Sequence, residues 1–250
     1  MNVTYRTEPM PGGRNEDFVV AGPSWVVVLD GATARADVDS GCRHDVSWLV
    51  GQLGSALARQ LVTRAEESLP TLLAAAIRGT MAAHGDVCDL GNPDSPSSTV
   101  AVLRERAGLV EYLVLCDSSV VLRGVDGTLA VVHDDRVDRL PGGRPYSVEL
   151  VRSSRNRVGG FWVASTCPEA AGEALTGAVP AGAVDGVLMV TDGVSRLVEW
   201  YGRTWEEVVA TAAKDGPGRL VEQVREAETE HGPRGGAKRH DDATAVWVTW

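Results

Sequence analysis

Residues 26–33 read Val-Val-Val-Leu-Asp-Gly-Ala-Thr, so an apolar run ends in an acidic residue and a glycine. A continuous run of Val and Leu is typical of a strand that is buried on both faces. The backbone at the end of such a strand is held rigidly, and it places Asp30 at the mouth of the core. Gly31 permits a sharp turn and lets a ligand approach its carbonyl closely. The stretch therefore predicts fixed oxygen ligands at a strand end.

Three further stretches place aspartate at one end of an apolar run. The runs from Leu113 to Asp117 and from Val187 to Asp192 end in the acid, and Asp241-Asp242 precede a strand that begins near Thr244. Strand ends from different parts of a chain can meet at one edge of a fold. A cluster of carboxylate oxygens is the environment that a hard divalent cation prefers. The sequence predicts that these aspartates converge on such a cation.

Composition limits the classes of partner and compartment. The formal net charge is −10, which argues against a nucleic-acid partner because phosphate backbones are bound by basic surfaces. The four cysteines are widely spaced without a Cys-x-x-Cys pair, and we interpret them as reduced thiols of a cytosolic protein. Residues 1–13 have no apolar core of a signal peptide, and no apolar run reaches the roughly 18 residues of a spanning helix. We expect a soluble, cytoplasmic protein without a membrane partner.

The order of predicted elements indicates an α+β fold. Early strands are followed by a helix from about Arg43, capped by Asp39 or Ser40, and by a second helix after Ser68. A run of strands comes next, with a hairpin around Asp126-Gly127. The later elements are a short strand at 161–164, a short helix at 168–175, helices at 203–213 and 217–230, and a last strand from 244. This order favours antiparallel sheets covered by helices.

Residues 134–160 are the least regular part of the chain. They contain Pro141-Gly142-Gly143 and five arginines, namely Arg139, Arg144, Arg152, Arg155 and Arg157. We interpret this segment as a flap-like insertion in a single domain that spans residues 1–250. Its arginines, and the basic stretch from Arg234 to Arg239, are either solvated or in contact with an anionic substrate.

Taken together, the motifs resemble those of the metal-dependent type 2C protein phosphatases, from Arg14 to Val248. Six elements occur in the family's order. They are Glu16-Asp17, Asp30-Gly31, Ser97-Ser98-Thr99, Cys116-Asp117-Ser118, Thr191-Asp192-Gly193 and Asp241-Asp242-Ala243-Thr244. A single Asp-Gly pair usually marks a turn and carries no weight alone. Six motifs in order, each at an expected strand edge, make the resemblance specific.

The resemblance implies a four-layer α-β-β-α sandwich with a centre for two Mn²⁺ or Mg²⁺ ions. It assigns metal binding and catalysis to Asp30, Asp192 and Asp241, and it adds the carbonyl of Gly31 as a ligand. Glu16 would act through bound water, and Asp17 would orient the site from behind the ligands. The implied chemistry is hydrolysis of a phosphomonoester by a metal-activated water, without a covalent enzyme intermediate.

The sequence departs from the family pattern at several positions. Ala32 stands where the family has a histidine that protonates the leaving group, and His44 or His240 are the available substitutes. The family's phosphate-binding arginine is absent from its position, and Arg14, or else Arg6, is the replacement that we expect. Asp117 and Asp242 remain for a third metal or for support of the ligands. Arg196 replaces the acid that a third ion needs, so the resemblance favours two ions.

Three functions are consistent with this pattern. The leading hypothesis is a Mn²⁺- or Mg²⁺-dependent phosphatase that acts on phosphoserine or phosphothreonine of a protein. The alternatives are a small-molecule phosphatase on the same fold, and a pseudophosphatase that acts as a binding module. Ala32 and Arg196 favour the last alternative, whereas the complete carboxylate set argues against it. The sequence does not specify an oligomeric state.

Overall fold

The apolar stretch before Asp30 forms a central strand of a two-sheet sandwich. The computed structural model describes residues 1–32, 38–143, 145–233 and 238–250. Its strands are β1 (Asn2–Glu8), β2 (Asp17–Gly22), β3 (Trp25–Ala32), β4 (Ser97–Arg106), β5 (Leu109–Leu115), β6 (Ser119–Gly124), β7 (Leu129–His133), β8 (Leu175–Pro180), β9 (Val184–Val190) and β10 (Ala243–Thr249). Its helices are α1 (Val46–Thr63), α2 (Leu69–Ala83), α3 (Val148–Ser154), α4 (Asp192–Glu199), α5 (Trp205–Asp215) and α6 (Pro217–His231).

The strands form two five-stranded sheets in which every pairing is antiparallel. Sheet I has the order β1-β10-β9-β6-β7, and sheet II has the order β2-β3-β4-β5-β8. Helices α1 and α2 cover sheet II, and α4, α5 and α6 cover sheet I. The predicted four-layer α-β-β-α sandwich of the α+β class is confirmed.

Strand β3 shows why an uninterrupted apolar run was required. Val26 and Val28 pack between the two sheets, whereas Val27 and Leu29 pack against α1 and α2. All four side chains are fully buried. Because side chains alternate between the two faces of a strand, burial on both faces requires an apolar residue at every position. The strand then delivers Asp30 to the edge of the sandwich.

Several predicted boundaries were wrong for identifiable reasons. Helix α1 begins at Val46 rather than near Arg43, because Asp45 and not Asp39 or Ser40 caps it, accepting a hydrogen bond from the backbone of Trp48 at 2.8 Å. Residues 161–164 form bridges only, through Ala164 to Ser98 and Phe161 to Arg155, and not a strand. The predicted short helix at 168–175 is present as a 3₁₀ helix over Pro168–Glu173, and strand β8, which sequence reasoning missed, follows it.

The segment 134–160 contains α3 and contributes apolar side chains to a small separate core. Leu140, Leu150 and Val151 pack there with Phe161 and Cys116. Arg152 forms an ion pair with Asp94, which ties α3 to the loop before β4. The assignments of this segment as a flap and of residues 1–250 as one domain stay predictions. Within the described residues, no helix is long and apolar enough to cross a membrane.

Candidate metal centre

The aspartates that the sequence predicted to converge lie at one edge of the sandwich. Asp17 and Asp30 are directly opposed on β2 and β3 of sheet II. Asp192 follows β9 and Asp241 precedes β10, and both of these strands belong to sheet I. A cavity of about 460 Å³ is lined by Asp30, Gly31, Asp117, Asp192 and Asp241 together. We call Asp17, Asp30, Asp117, Asp192 and Asp241 the carboxylate cluster.

Asp17 joins the two sheets beneath this cavity. Its Oδ2 accepts hydrogen bonds from the hydroxyls of Thr191 at 3.0 Å and Thr244 at 2.6 Å. These threonines flank the two acidic motifs of sheet I, which explains why a threonine stands beside each of them. Asp17 Oδ1 is buried without a hydrogen-bond partner among the described residues. A buried carboxylate oxygen without a partner is costly unless something cationic approaches it.

The carboxylate cluster is electrostatically strained. Burial raises the pKa of Asp17 to about 8, although the two threonine hydrogen bonds oppose this shift. Burial and the negative charges of Asp17 and Asp192 raise the pKa of Asp30 well above its usual range. Burial and Asp192 raise the pKa of Asp241 to about 6, against the opposing charge of Arg196. Divalent cations would relieve this repulsion, and an oxygen-only donor set fits Mn²⁺ or Mg²⁺.

Two glycines of the acidic motifs are required by close packing. A Cβ on Gly31 would lie 2.3 Å from Val46 Cγ1 and 2.6 Å from the carbonyl oxygen of Glu16. A Cβ on Gly193 would lie 1.9 Å from the carbonyl oxygen of Asp242. All three distances are far below van der Waals contact. The glycines therefore allow β3 and the start of α4 to approach the neighbouring acidic segments closely.

Glu16 and Asp242 lie behind the cavity rather than in its described lining. The amide of Gly31 donates to the carbonyl of Glu16 at 3.1 Å. Asp242 Oδ2 accepts from the amide of Glu16 at 2.6 Å, and its Oδ1 accepts from the amide of Met10 at 2.7 Å. The side chain of Asp242 thus holds the segment that carries Glu16 and Asp17. Sequence reasoning had left Asp242 between a third-metal role and support of the ligands, and these contacts favour support.

Arg196 is a functional candidate whose contacts the sequence did not reveal. Its buried guanidinium donates to Asp241 and to Glu228 Oε1, the latter at 3.4 Å, and lies 4.3 Å from the ring of Trp200. Glu228 is fully buried and also accepts from Arg225 and His240. A fixed positive charge therefore stands beside one predicted metal ligand. Sequence reasoning did not predict α4, so it had no means to place Arg196 there.

The arginines expected near the phosphate lie at different depths. Arg14 is exposed and pairs with Asp45 at 2.9 Å, away from the described lining of the cavity. Arg155 lines the cavity, donates to the carbonyls of Pro93 and Ser95 at 3.0 and 2.7 Å, and has its pKa lowered to about 10 by burial. Arg155 therefore stays cationic at neutral pH within the cavity.

Other predicted contributors lie elsewhere. His240 Nδ1 donates to Glu228 Oε2 at 2.7 Å, and His44 lies beside Cys42 and Cys88, so within the described residues neither lines the cavity as a substitute for the missing histidine. Of the predicted basic stretch, Lys238 lines the cavity, whereas residues 234–237 lie outside the described residues. Arg144 and residues 33–37 also lie outside them.

Comparison with known proteins identifies the family. The model of the family described as protein phosphatase 2C matches residues 13–226. The chain therefore belongs to the protein phosphatase 2C family, which confirms the predicted class, a metal-dependent hydrolase of phosphomonoesters that uses Mn²⁺ or Mg²⁺. No curated protein is similar enough to match this sequence.

Solved structures share the fold at low sequence identity. PstP/Ppp, a serine/threonine phosphatase of Mycobacterium tuberculosis, is 19% identical, covers 99% of this chain and 97% of its own, and has a TM-score of 0.64. The PstP catalytic domain in complex with two manganese ions is 19% identical, with the same coverage and a TM-score of 0.60. PppA, a regulatory component of the T6SS in Pseudomonas aeruginosa, is 18% identical, covers 99% and 96%, and has a TM-score of 0.63.

Proposed function

We propose that this chain removes phosphate from phosphoserine or phosphothreonine of a protein, with two Mn²⁺ or Mg²⁺ ions held by Asp30, Asp192 and Asp241. The observation that carries the proposal is the convergence of these three carboxylates, from two sheets, on one cavity. Their raised pKa values support it, because mutual repulsion of this kind favours the binding of divalent cations. The structure of PstP with two manganese ions supports the number of ions.

Each residue of the centre has a proposed part in binding or positioning. Asp30 is close enough to the other acids of the carboxylate cluster for their charges to act on it, and it would help to hold both ions. The Gly31 carbonyl would be a further ligand, and Glu16 would act through water. Asp17 orients the site by holding Thr191 and Thr244. When bound, the ions supply Lewis-acid stabilisation of phosphoryl oxygens and lower the pKa of water.

The remaining residues determine how the substrate's phosphate is bound, how charge is balanced and whether the leaving group is protonated. Arg155, from the cavity, and Arg14, from the resemblance, are the proposed phosphate-binding cations. Arg196 neutralises part of the charge on Asp241, and its presence favours two ions rather than three. Ala32 offers no proton to a leaving group. We therefore expect esters with good leaving groups to be hydrolysed much faster than alkyl phosphates.

Hydrolysis of p-nitrophenyl phosphate with Mn²⁺ tests the proposal directly. The variants Asp30→Asn and Asp192→Asn are expected to lose on the order of 10³-fold or more in kcat/KM, since metal ions contribute several kcal/mol of transition-state stabilisation. Their folding should be retained, because each substitution removes a charge that its neighbours repel. Asp215→Asn, at an exposed position at the end of α5, is the matched control and should keep full activity.

The same variants separate the alternatives. Turnover that is insensitive to chelator, or equal in Asp30→Asn and the wild-type chain, would exclude the proposed centre. Absence of any turnover with Mn²⁺ would instead favour a binding module. Phosphoserine and phosphothreonine peptides assayed beside phosphorylated metabolites then decide between a protein and a small-molecule substrate. We expect the peptides to be preferred.

A further inference from the structure

Two cysteine thiols and two histidine imidazoles lie close together outside the carboxylate cavity. Cys42 and His44 precede α1, and His84 and Cys88 lie at the end of α2, yet one ligand atom from each residue lies within 4.8 Å of all the others. We call these four residues the cysteine–histidine cluster. Along the chain they read Cys-x-His and, forty residues later, His-x-x-x-Cys. The helix pair α1–α2 folds back on itself and brings the two halves together.

The distances within the cluster are close to those of a tetrahedral metal site. The two sulfurs lie 3.3 Å apart, and Cys42 Sγ lies 3.5 Å from His84 Nδ1 and 3.8 Å from His44 Nδ1. Cys88 Sγ lies 3.4 Å from His44 Nδ1. Zinc bound to sulfur at about 2.3 Å and to nitrogen at about 2.0 Å places a tetrahedral sulfur–nitrogen pair roughly 3.5 Å apart and two sulfurs roughly 3.8 Å apart. The three sulfur–nitrogen separations lie around the first value, and the two sulfurs are closer than the second, so they would move slightly apart on binding the ion.

The surroundings orient all four ligands inward. The backbone amides of Arg43 and His44 donate to Cys88 Sγ and Cys42 Sγ, each at 3.4 Å. Such donors stabilise thiolates, the form in which cysteine binds metal. Trp48 stacks on His44 with ring centroids 3.8 Å apart, and it meets the edge of His84 at 4.7 Å. The indole of Trp48 therefore fixes the planes of both imidazoles.

We propose that Cys42, His44, His84 and Cys88 bind one Zn²⁺ in a structural site that is separate from the carboxylate centre. Two thiolates and two imidazoles are a donor set that selects zinc, whereas the oxygen ligands of the carboxylate cluster suit Mn²⁺ or Mg²⁺. Four protein ligands complete a tetrahedron and leave no position for substrate. The site is therefore structural and not catalytic.

The zinc would fasten one wall of the catalytic cavity. The segments that carry the ligands are also joined by the amide of Asp89 to the carbonyl of Gly41 at 2.8 Å, and by Asn92 to the carbonyl of Asp39 at 3.0 Å. Val38 and Asp94, which continue these two segments, line the cavity. Fixing the segments to each other would hold this wall in place without contact between zinc and substrate.

Metal content of the purified chain tests the proposal without an activity assay. The protein is expressed and purified without added chelator, and zinc is measured by mass spectrometry of the elements. We expect one zinc per chain in the wild-type protein and in Asp30→Asn, and loss of that zinc in the double variant Cys42→Ser/Cys88→Ser. Cys167→Ser, which removes a cysteine outside the cluster, should retain the full equivalent. The double variant should also melt at a lower temperature, because bound zinc stabilises only the folded state.

Cobalt provides a second measurement on the wild-type chain, so the proposal stays testable if the double variant does not fold. Replacement of zinc by Co²⁺ should give a thiolate-to-cobalt charge-transfer band and the intense visible bands of tetrahedral cobalt. Less than a tenth of an equivalent of zinc together with a cobalt spectrum lacking the thiolate band would overturn the proposal. An intact mass two hydrogens lower without metal would overturn it in favour of a Cys42–Cys88 disulfide. Because Asp30→Asn should keep its zinc, failure here and failure of the phosphatase assignment are distinguishable.

Discussion

The carboxylate cluster and the cysteine–histidine cluster, which we propose as two cation sites, are built in opposite ways. The carboxylates lie in or directly beside β2, β3, β9 and β10, or, for Asp117, between β5 and β6, and the backbones of these strands are fixed by ladders of hydrogen bonds and by buried cores. The cysteines and histidines come from loops at one end of a helix pair. The first cluster opens on a cavity of about 460 Å³, whereas Trp48 packs on the ligands of the second.

This difference explains how each cluster affects the stability of the fold. The sheets force like charges together, and the strain appears as raised pKa values for Asp17, Asp30 and Asp241. A rigid framework can sustain that strain while leaving room for substrate. The cysteine–histidine cluster lies on loops that hydrogen bonds from Asp89 and Asn92 join, and in our proposal the metal supplies a further connection between these loops. An open site thus depends on the fold, whereas a closed site contributes to it.

The largest effect on stability should follow from removing the positive charge of Arg196, which contacts Asp241 of the carboxylate cluster. Arg196→Met removes the buried cation that contacts Asp241 and leaves Glu228 with Arg225 and His240 alone, and we expect the free energy of unfolding to fall by about 3 kcal/mol. Arg219→Met removes ion pairs to Glu222 and Glu226 on the surface of α6 and should leave stability unchanged. Urea unfolding of both variants makes the measurement. Equal stability of the two variants would show that the framework alone holds the acids.

A smaller effect should follow from disturbing the framework without changing a charge. Gly193→Ala places a Cβ against the carbonyl of Asp242, which only a backbone shift can relieve. We expect a loss of about 1–3 kcal/mol in stability and a fall in kcat of about 10²-fold, since a displacement near 1 Å suffices for that loss. Gly51→Ala on α1 meets nothing within 4 Å and should be neutral or stabilising by up to about 1 kcal/mol. Wild-type kcat in Gly193→Ala would contradict the required close packing.

The smallest effect concerns the binding of the substrate's phosphate group in the carboxylate cavity. Arg155→Met is expected to raise the KM for p-nitrophenyl phosphate about tenfold, because a hydrogen bond to a charged group is worth about 1.5–3 kcal/mol. Arg14→Ala should raise KM less, because an exposed charge is screened by salt. Arg139→Met, which removes an exposed ion pair with Asp135 outside the described lining of the cavity, is the control and should leave KM unchanged. A KM of Arg155→Met equal to that of the control would exclude Arg155 from phosphate binding.

Much of the fold was predictable because local patterns carry it. The uninterrupted run before Asp30 predicted a doubly buried strand, and the hairpin around Asp126-Gly127 was also confirmed. Helix α4 escaped prediction because its eight residues are too few to show a periodicity. The cap at Asp45 was missed because Asp39 and Ser40, a few residues earlier, have the same capping chemistry.

The site was predictable in part for the same reason. The acidic motifs and their glycines are local, so Asp30, Asp192 and Asp241 could be selected before any coordinates. The cysteine–histidine cluster was missed because the four cysteines were interpreted only by their spacing, and no Cys-x-x-Cys pair signalled a metal. The patterns Cys-x-His and His-x-x-x-Cys are each weak signals of a metal site, and only their proximity in the folded chain indicates one.

The sequence by itself determined the strand ends, the order of the acidic motifs and the family that they define. These features depend on neighbours a few residues apart, so a linear pattern is enough to specify them. The tertiary structure decided that Arg196 contacts Asp241, that Asp17 joins two threonines of the other sheet, and that Cys42 meets Cys88. Each of these depends on a distance of a few ångströms between residues that are far apart in the chain, and only packing of the complete fold sets such distances.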